Sequence, residues 1–122
     1  MENPLITIYG YGYVGRAVFK FFKDHYNVQV YDPIVKDDVV QNNFKKLLLT
    51  PYAIICVPTN SKADKSCDMS IVENTVKKTK HKYYLIKSTI VPGTTAKLIK
   101  ATGKKIAFSP EYIGEGKYEI PF

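Results

Sequence analysis

The sequence predicts an α/β domain, a doubly wound parallel sheet with helices on both faces. Short apolar segments alternate with helix-period segments as far as residue 109, the pattern of repeated strand–helix–strand units. The segment YAIICV (residues 52–57) is apolar throughout, as a central strand covered on both faces must be. The opening segment LITIY (residues 5–9) runs through closely spaced glycines into a helical pattern.

Each element follows in order. Val14, Ala17, Val18, Phe21 and Phe22 recur at i, i+3, i+4, i+7 and i+8, which predicts one buried helix face after the first strand. NVQVY (residues 27–31) alternates as a second strand, and Val40, Phe44, Leu47 and Leu48 predict a short second helix. The third strand is residues 52–57. Ser70 and Glu73 make an S-x-x-E capping box that predicts a helix from Ser70 toward Lys80. YYLIK (residues 83–87) is a fourth strand. A helix from about Thr94 to Thr102 should stop at Gly103, and KIAFS (residues 105–109) is a fifth strand.

The 122 residues suffice for one compact domain, with 45% hydrophobic and 24% charged residues. No apolar run is long enough for a bilayer, and the first residues lack the basic n-region of a secretory signal. Cys56 lies in an apolar run and Cys67 in a polar loop. With only His25 and His81 beside them, neither a disulfide framework nor a zinc site is expected, and a reducing, cytoplasmic setting is the default. The net charge of +7 comes from dispersed lysines. The densest run, KKTKHK (residues 77–82), ends a predicted helix, where cations suit the dipole, so it reads as a solvated face. Neither a nucleic acid nor a membrane partner is expected.

In an open α/β sheet, ligands bind beyond the carboxyl ends of the strands. Gly10, Gly12 and Gly15 there form G-x-G-x-x-G between a strand and a helix, the context in which a dinucleotide's pyrophosphate meets helix-start amides; a plain tight turn is the alternative. Asp32 ends the second strand 22 positions after Gly10, close to the spacing of the acid that takes ribose hydroxyls. It favours NAD over NADP, although an Asp before Pro33 also makes ordinary turns. Lys36 is near enough to assist, or is a solvated loop lysine. The later strands deliver Pro58-Thr59, Ser88-Thr89 and Ser109-Pro110-Glu111 to the same edge. Their prolines serve as strand terminators, which leaves Thr89 and Glu111 as polar groups placed where a nicotinamide and a substrate would meet.

These pieces taken together resemble the N-terminal NAD-binding domain of the UDP-glucose/GDP-mannose dehydrogenase family. The matching motifs are GYGYVG (residues 10–15), YDP (31–33), CVPTN (56–60), IKSTIVPGTT (86–95) and FSPEYIGEGK (108–117), in the family's order. The resemblance implies a Rossmann-like domain over residues 1–110, with residues 111–122 beginning a substrate loop and the connection to a C-terminal part. It implies oxidation of a nucleotide sugar, a UDP-sugar or relative, at the C6 alcohol to a carboxylate with two NAD, and a homodimer for the full-length enzyme. By carry-over, Gly10, Gly12, Tyr13, Val14, Gly15, Asp32, Lys36, Pro58, Thr59, Thr89 and Glu115 contact NAD. Thr89 also helps place a catalytic water. Glu111, Tyr112, Ile113, Gly114 and Glu115 line the sugar nucleotide, with Glu111 the candidate acid/base; Glu115 and Lys117 also fit a solvated loop. Gly114 stands where many members have arginine. The family's nucleophilic cysteine and its helpers have no match in this sequence, so the chain alone is expected to bind cofactor without turnover. The alternative is a stand-alone NAD-binding or partner-docking module.

Overall fold

A computed structural model describes residues 3–59, 69–88 and 90–109. Six strands, β1 (Ile6–Tyr9), β2 (Val28–Tyr31), β3 (Val40–Gln41), β4 (Tyr52–Ile55), β5 (Tyr83–Ile86) and β6 (Lys105–Phe108), form one sheet in the order β3-β2-β1-β4-β5-β6. Every pairing is parallel, with Ile6 opposite both Val28 and Tyr52. Sequence order therefore runs outward from β1 in both directions. The reversal falls between β1 and β4, where an open α/β sheet places its ligand crevice.

Side-chain alternation divides the strands between two cores. Ile6, Ile8, Val30, Ile54 and Cys56 pack with Val18 of α1 (Tyr13–Phe22) on one face. Tyr9, Ala53, Ile55, Tyr84 and Ile86 pack on the other face with Val72 and Val76 of α2 (Ser70–Lys78) and Leu98 of α3 (Thr94–Thr102). Each of these helix anchors is fully buried and contributes about 1.5–3 kcal/mol. Among the described residues nothing covers the α1 face over β4, β5 and β6: a groove of about 650 Å³ lies there, against the first residues of those strands and lined by Phe22, Tyr26, Tyr52, Ile54, Tyr83 and Leu85.

Three local expectations change. Residues 40–48 do not form the expected helix; Val40 joins the short edge strand β3, and Phe44–Lys46 make one 3-10 turn. Asn42 and Asn43 divert this stretch by bonding to backbone. Asn42 Nδ2 donates to the Asp32 and Val35 carbonyls, and Asn43 Oδ1 accepts from Lys45 N–H. Side-chain bonds of this kind compete with a helix ladder. At α2, Met69 is the N-cap and makes no side-chain capping bond, and Ser70 stands inside the first turn. Phe21, expected on the buried face of α1, is half exposed. The stop at Gly103 is as expected: it adopts φ +70° and its N–H donates to Ile99 O.

The basic run near residue 80 is two-sided. Lys77, Lys78, Lys80 and Lys82 are exposed, whereas Thr79 and His81 are buried. His81 Nδ1 donates to Thr50 O at 2.7 Å, which leaves Nε2 to accept from Tyr9 Oη at 2.6 Å. The chain of bonds continues through Thr50 Oγ to Thr7 Oγ and Gln29, and through Tyr84 Oη to Thr79. Lys104 Nζ closes it by donating to the Val76 and Thr79 carbonyls.

This row has a pH signature. Desolvation holds the His81 pKa below its ordinary 6.5 and the nearby Lys104 charge adds to that, while the bond to Thr50 O opposes them. Among the described residues Tyr9, Tyr84, Thr50 and Lys104 face the ring, and none of them is an anion. The unfolded chain therefore takes up a proton below about pH 6.5 that the folded chain refuses, and stability falls as pH drops from there toward the lowered folded value. Urea midpoints measured between pH 7.5 and 5.5 should decline for the wild type. His81→Gln should remove most of that slope; an unchanged slope would mean that His81 is not its source.

Candidate functional site

The carboxyl edge of the sheet gathers Gly10 after β1, Asp32 after β2, Pro58 and Thr59 after β4, Ser88 after β5 and Ser109 after β6. Thr89, Glu111, Tyr112, Ile113, Gly114 and Glu115 lie outside the described residues.

The three glycines have separate physical roles. Gly10 sits at φ +96°, and a Cβ there would come within 2.6 Å of Cys56 O. It lets β1 turn sharply against β4. Gly15 is buried in α1, where a Cβ would overlap the Gly10 carbonyl, so its absence brings helix and loop into contact. Gly12 is the N-cap of α1 at φ −84°, and nothing lies within 4 Å of the place its Cβ would occupy. Packing does not require glycine at that position. The opening turn of a helix has N–H groups without intrahelical partners and a positive dipole end, so a glycine there leaves them open to an anion. Turn, close ligand approach and helix packing are the three uses that a dinucleotide-binding glycine loop makes of its glycines. The cradle fits a diphosphate.

Asp32 fixes the neighbouring loop. Its Oδ2 accepts from Tyr11 N–H at 2.8 Å, and its Oδ1 from Ile34 and Val35 N–H at 2.8 and 3.0 Å. Its backbone is also held, since Asp32 N–H donates to Gln41 O and Asn42 takes its carbonyl. Desolvation pushes the Asp32 pKa up, the three backbone donors together outweigh it, and the group stays ionised below its ordinary range. An ionised carboxylate has about four lone-pair sites. Three are filled, and the spare one is on Oδ2, on the glycine-loop side.

The other expected residues are less constrained. Tyr13 and Pro58 are exposed, Val14 packs partly into the α1 core, Thr59 is half-buried and Lys36 is an exposed loop residue. Ser88 is buried, with Oγ donating to Val57 O at 2.7 Å, so it braces the β4 and β5 ends. Lys87, which sequence reasoning passed over, is buried at the same edge with Nζ 3.3 Å from Ser109 Oγ. Asn42 was also missed. Its partners, the Asp32 and Val35 carbonyls, lie ten and seven residues upstream, and the only local sign is the pair of adjacent asparagines. Among the described residues no helix is long and apolar enough to cross a membrane, and no group of three or more His, Cys, Asp or Glu could hold a metal.

Comparison with known proteins agrees with this geometry. The family model for the UDP-glucose/GDP-mannose dehydrogenase family, NAD binding domain, matches residues 36–119. That match begins after the glycine loop and Asp32, so their role rests on their own geometry. A search of curated proteins gave no match. Among solved structures, a GDP-mannose dehydrogenase from Pseudomonas aeruginosa, described as a ternary complex, is 23% identical with a TM-score of 0.68 over 90% of this chain. A UDP-D-ManNAc dehydrogenase from Pyrococcus horikoshii is 24% identical, TM-score 0.73, over 92%. A UDP-glucose dehydrogenase from Pyrobaculum islandicum is 22% identical, TM-score 0.71, over 94%. At these identities the likeness is one of fold. The chain spans 36–37% of the length of each of those three proteins.

Proposed function

The chain belongs to the UDP-glucose/GDP-mannose dehydrogenase family and matches its NAD-binding domain, and from that premise we propose that it supplies the cofactor half of a nucleotide-sugar dehydrogenase. In the reaction proposed, the sugar's C6 alcohol is oxidised to a carboxylate and two NAD are reduced. NAD accepts the hydride; this chain's contribution is to bind and orient it.

The observation that supports the reading is the division of labour among Gly10, Gly12 and Gly15, with no described atom within 4 Å of a Cβ at Gly12. The amides that open α1 would hold the diphosphate, and the spare lone pair of Asp32 Oδ2 would accept from a ribose hydroxyl. An anionic Asp32 also repels a 2′-phosphate, which selects NAD over NADP. Thr89 and the residues from Glu111 to Glu115 are proposed to serve the nicotinamide and the nucleotide sugar. The reading carries a cytoplasmic, reducing setting.

Calorimetric titration of the chain with NAD⁺ and NADP⁺ tests this. NAD⁺ should bind at least about tenfold more tightly, the size of one charge-assisted discrimination. Adding UDP-glucose to the NAD⁺ complex should yield no NADH, since no segment matching the family's nucleophile is present. Equal affinity for the two cofactors would refute the role given to Asp32, and a folded chain that binds neither would refute the cofactor site.

A further inference from the structure

Arg16 is the only arginine in the sequence, and its position is unfavourable unless it has an anionic partner. Its N–H donates to Gly12 O at 3.0 Å, which places it on the first turn of α1. That end of a helix carries roughly half a positive charge and disfavours a cation. The first turn has no acidic residue to offset it, and no described carboxylate makes an ion pair with Arg16.

The side chain is nevertheless held in place. Helical side chains lean back toward the N-terminus. Arg16 does so far enough for Nε to donate to Tyr11 O at 3.3 Å, with its guanidinium carbon 5.1 Å from the centre of the Tyr11 ring. Tyr11 is itself buried, edge-on to Phe19, and its N–H is tied to Asp32. The Arg16 head is therefore anchored on the rigid part of the glycine loop, beside open Gly12. Guanidinium has five N–H donors. Among the described residues only Nε is used, and the four on the terminal nitrogens remain for a planar, two-point contact with an anion.

We propose that Arg16 is a direct ligand of the cofactor's diphosphate, adding a side-chain cation to the backbone amides of the glycine loop. This inference rests on the cofactor site proposed above. The diphosphate is favoured over a 2′-phosphate because the latter would meet the ionised Asp32 on the ribose side. The position was assigned no role from sequence, since the glycine motif says nothing about the residue that follows it.

The test is calorimetric titration of the full chain, wild type, Arg16→Lys and Arg16→Met, with NAD⁺, ADP and adenosine in phosphate-free buffer. Arg16→Met should weaken NAD⁺ and ADP by about ten- to a hundredfold and leave adenosine unchanged. Arg16→Lys should recover part of the loss, as a point charge without the fork. The gap between wild type and Arg16→Met should narrow with added salt. A matching loss for adenosine would show that Arg16 acts only by steadying Tyr11, and unchanged NAD⁺ affinity in Arg16→Met would show no contact; either overturns the inference. Wild-type chain that is folded yet binds neither NAD⁺ nor ADP overturns the cofactor site and this inference with it. If Arg16→Met does not fold, Arg16→Lys decides: wild-type affinity for both NAD⁺ and ADP at low and high salt would be expected only of a generic surface charge.

Discussion

Gly15→Ala should cost about 3–5 kcal/mol and lower the melting temperature by on the order of 10–20 °C. The added methyl would overlap the Gly10 carbonyl, and both atoms belong to backbone, so no rotamer can relieve the clash. Either α1 moves away from β1, opening the core around Val18 and Cys56, or the glycine loop unwinds. Gly12→Ala is the informative partner. Its φ of −84° suits any residue and no described atom lies within 4 Å of the new methyl, so stability should fall by only about 0.5–1 kcal/mol, the cost of alanine in place of glycine at an N-cap. NAD⁺ affinity should nevertheless fall at least about tenfold, because that methyl would occupy the space proposed for the diphosphate. Thermal melts and titrations of the two variants should dissociate folding from binding. Gly12→Ala binding as tightly as wild type would place the cofactor elsewhere.

Asp32→Ala should damage both properties together. It leaves the N–H groups of Tyr11, Ile34 and Val35 without their acceptor, at a cost of about 1–3 kcal/mol, and it removes the ribose partner proposed above. Asp32→Asn should be intermediate in stability, since one amide oxygen can serve one side of the loop while its NH₂ meets N–H donors on the other. The acid limb of the stability profile separates these effects. Because the folded pKa is depressed, the Asp32 contribution is fully present above the ordinary carboxylate value near 3.8 and is lost as pH falls through the lower folded value. Wild-type and Asp32→Ala stabilities should converge in strong acid. A constant gap down to that range would mean that the carboxylate's charge contributes nothing.

Sequence revealed the elements whose signal is local. The strands at residues 6–9, 52–55 and 83–86 announce themselves by apolar runs, α1 by its period, and the end of α3 by Gly103. It failed where long-range partners decide. Val40, Phe44 and Leu47 have helical spacing, yet Val40 packs on one core from an edge strand, Leu47 on the other from the loop after a 3-10 turn, and Phe44 in that turn stays exposed, edge-on to Tyr31. The adjacent asparagines in QNN were the available warning, being poor in a helix interior. The site was half legible. The motif located Gly10, Gly12, Gly15 and Asp32, but equal letters concealed three unequal glycines. The turn reading of Asp32 before Pro33 anticipates its bonds to Ile34 and Val35. The third bond could not be read there, because it depends on Tyr11, 21 residues away, arriving beside β2.

The row of buried hydroxyls and His81 also bears on the order in which the chain can fold. Tyr9 and His81 are 72 residues apart, and Thr7 and Thr50 are 43 apart. Closing loops of that length gains nothing until β1, β4 and β5 are already in register. The Tyr9–His81 bond therefore belongs to the late side of the folding barrier. Mutations along the row should leave the refolding rate nearly intact and accelerate unfolding instead. The edge of the sheet farthest from the cofactor would then set how long a folded molecule lasts, while the glycine loop sets what it can hold.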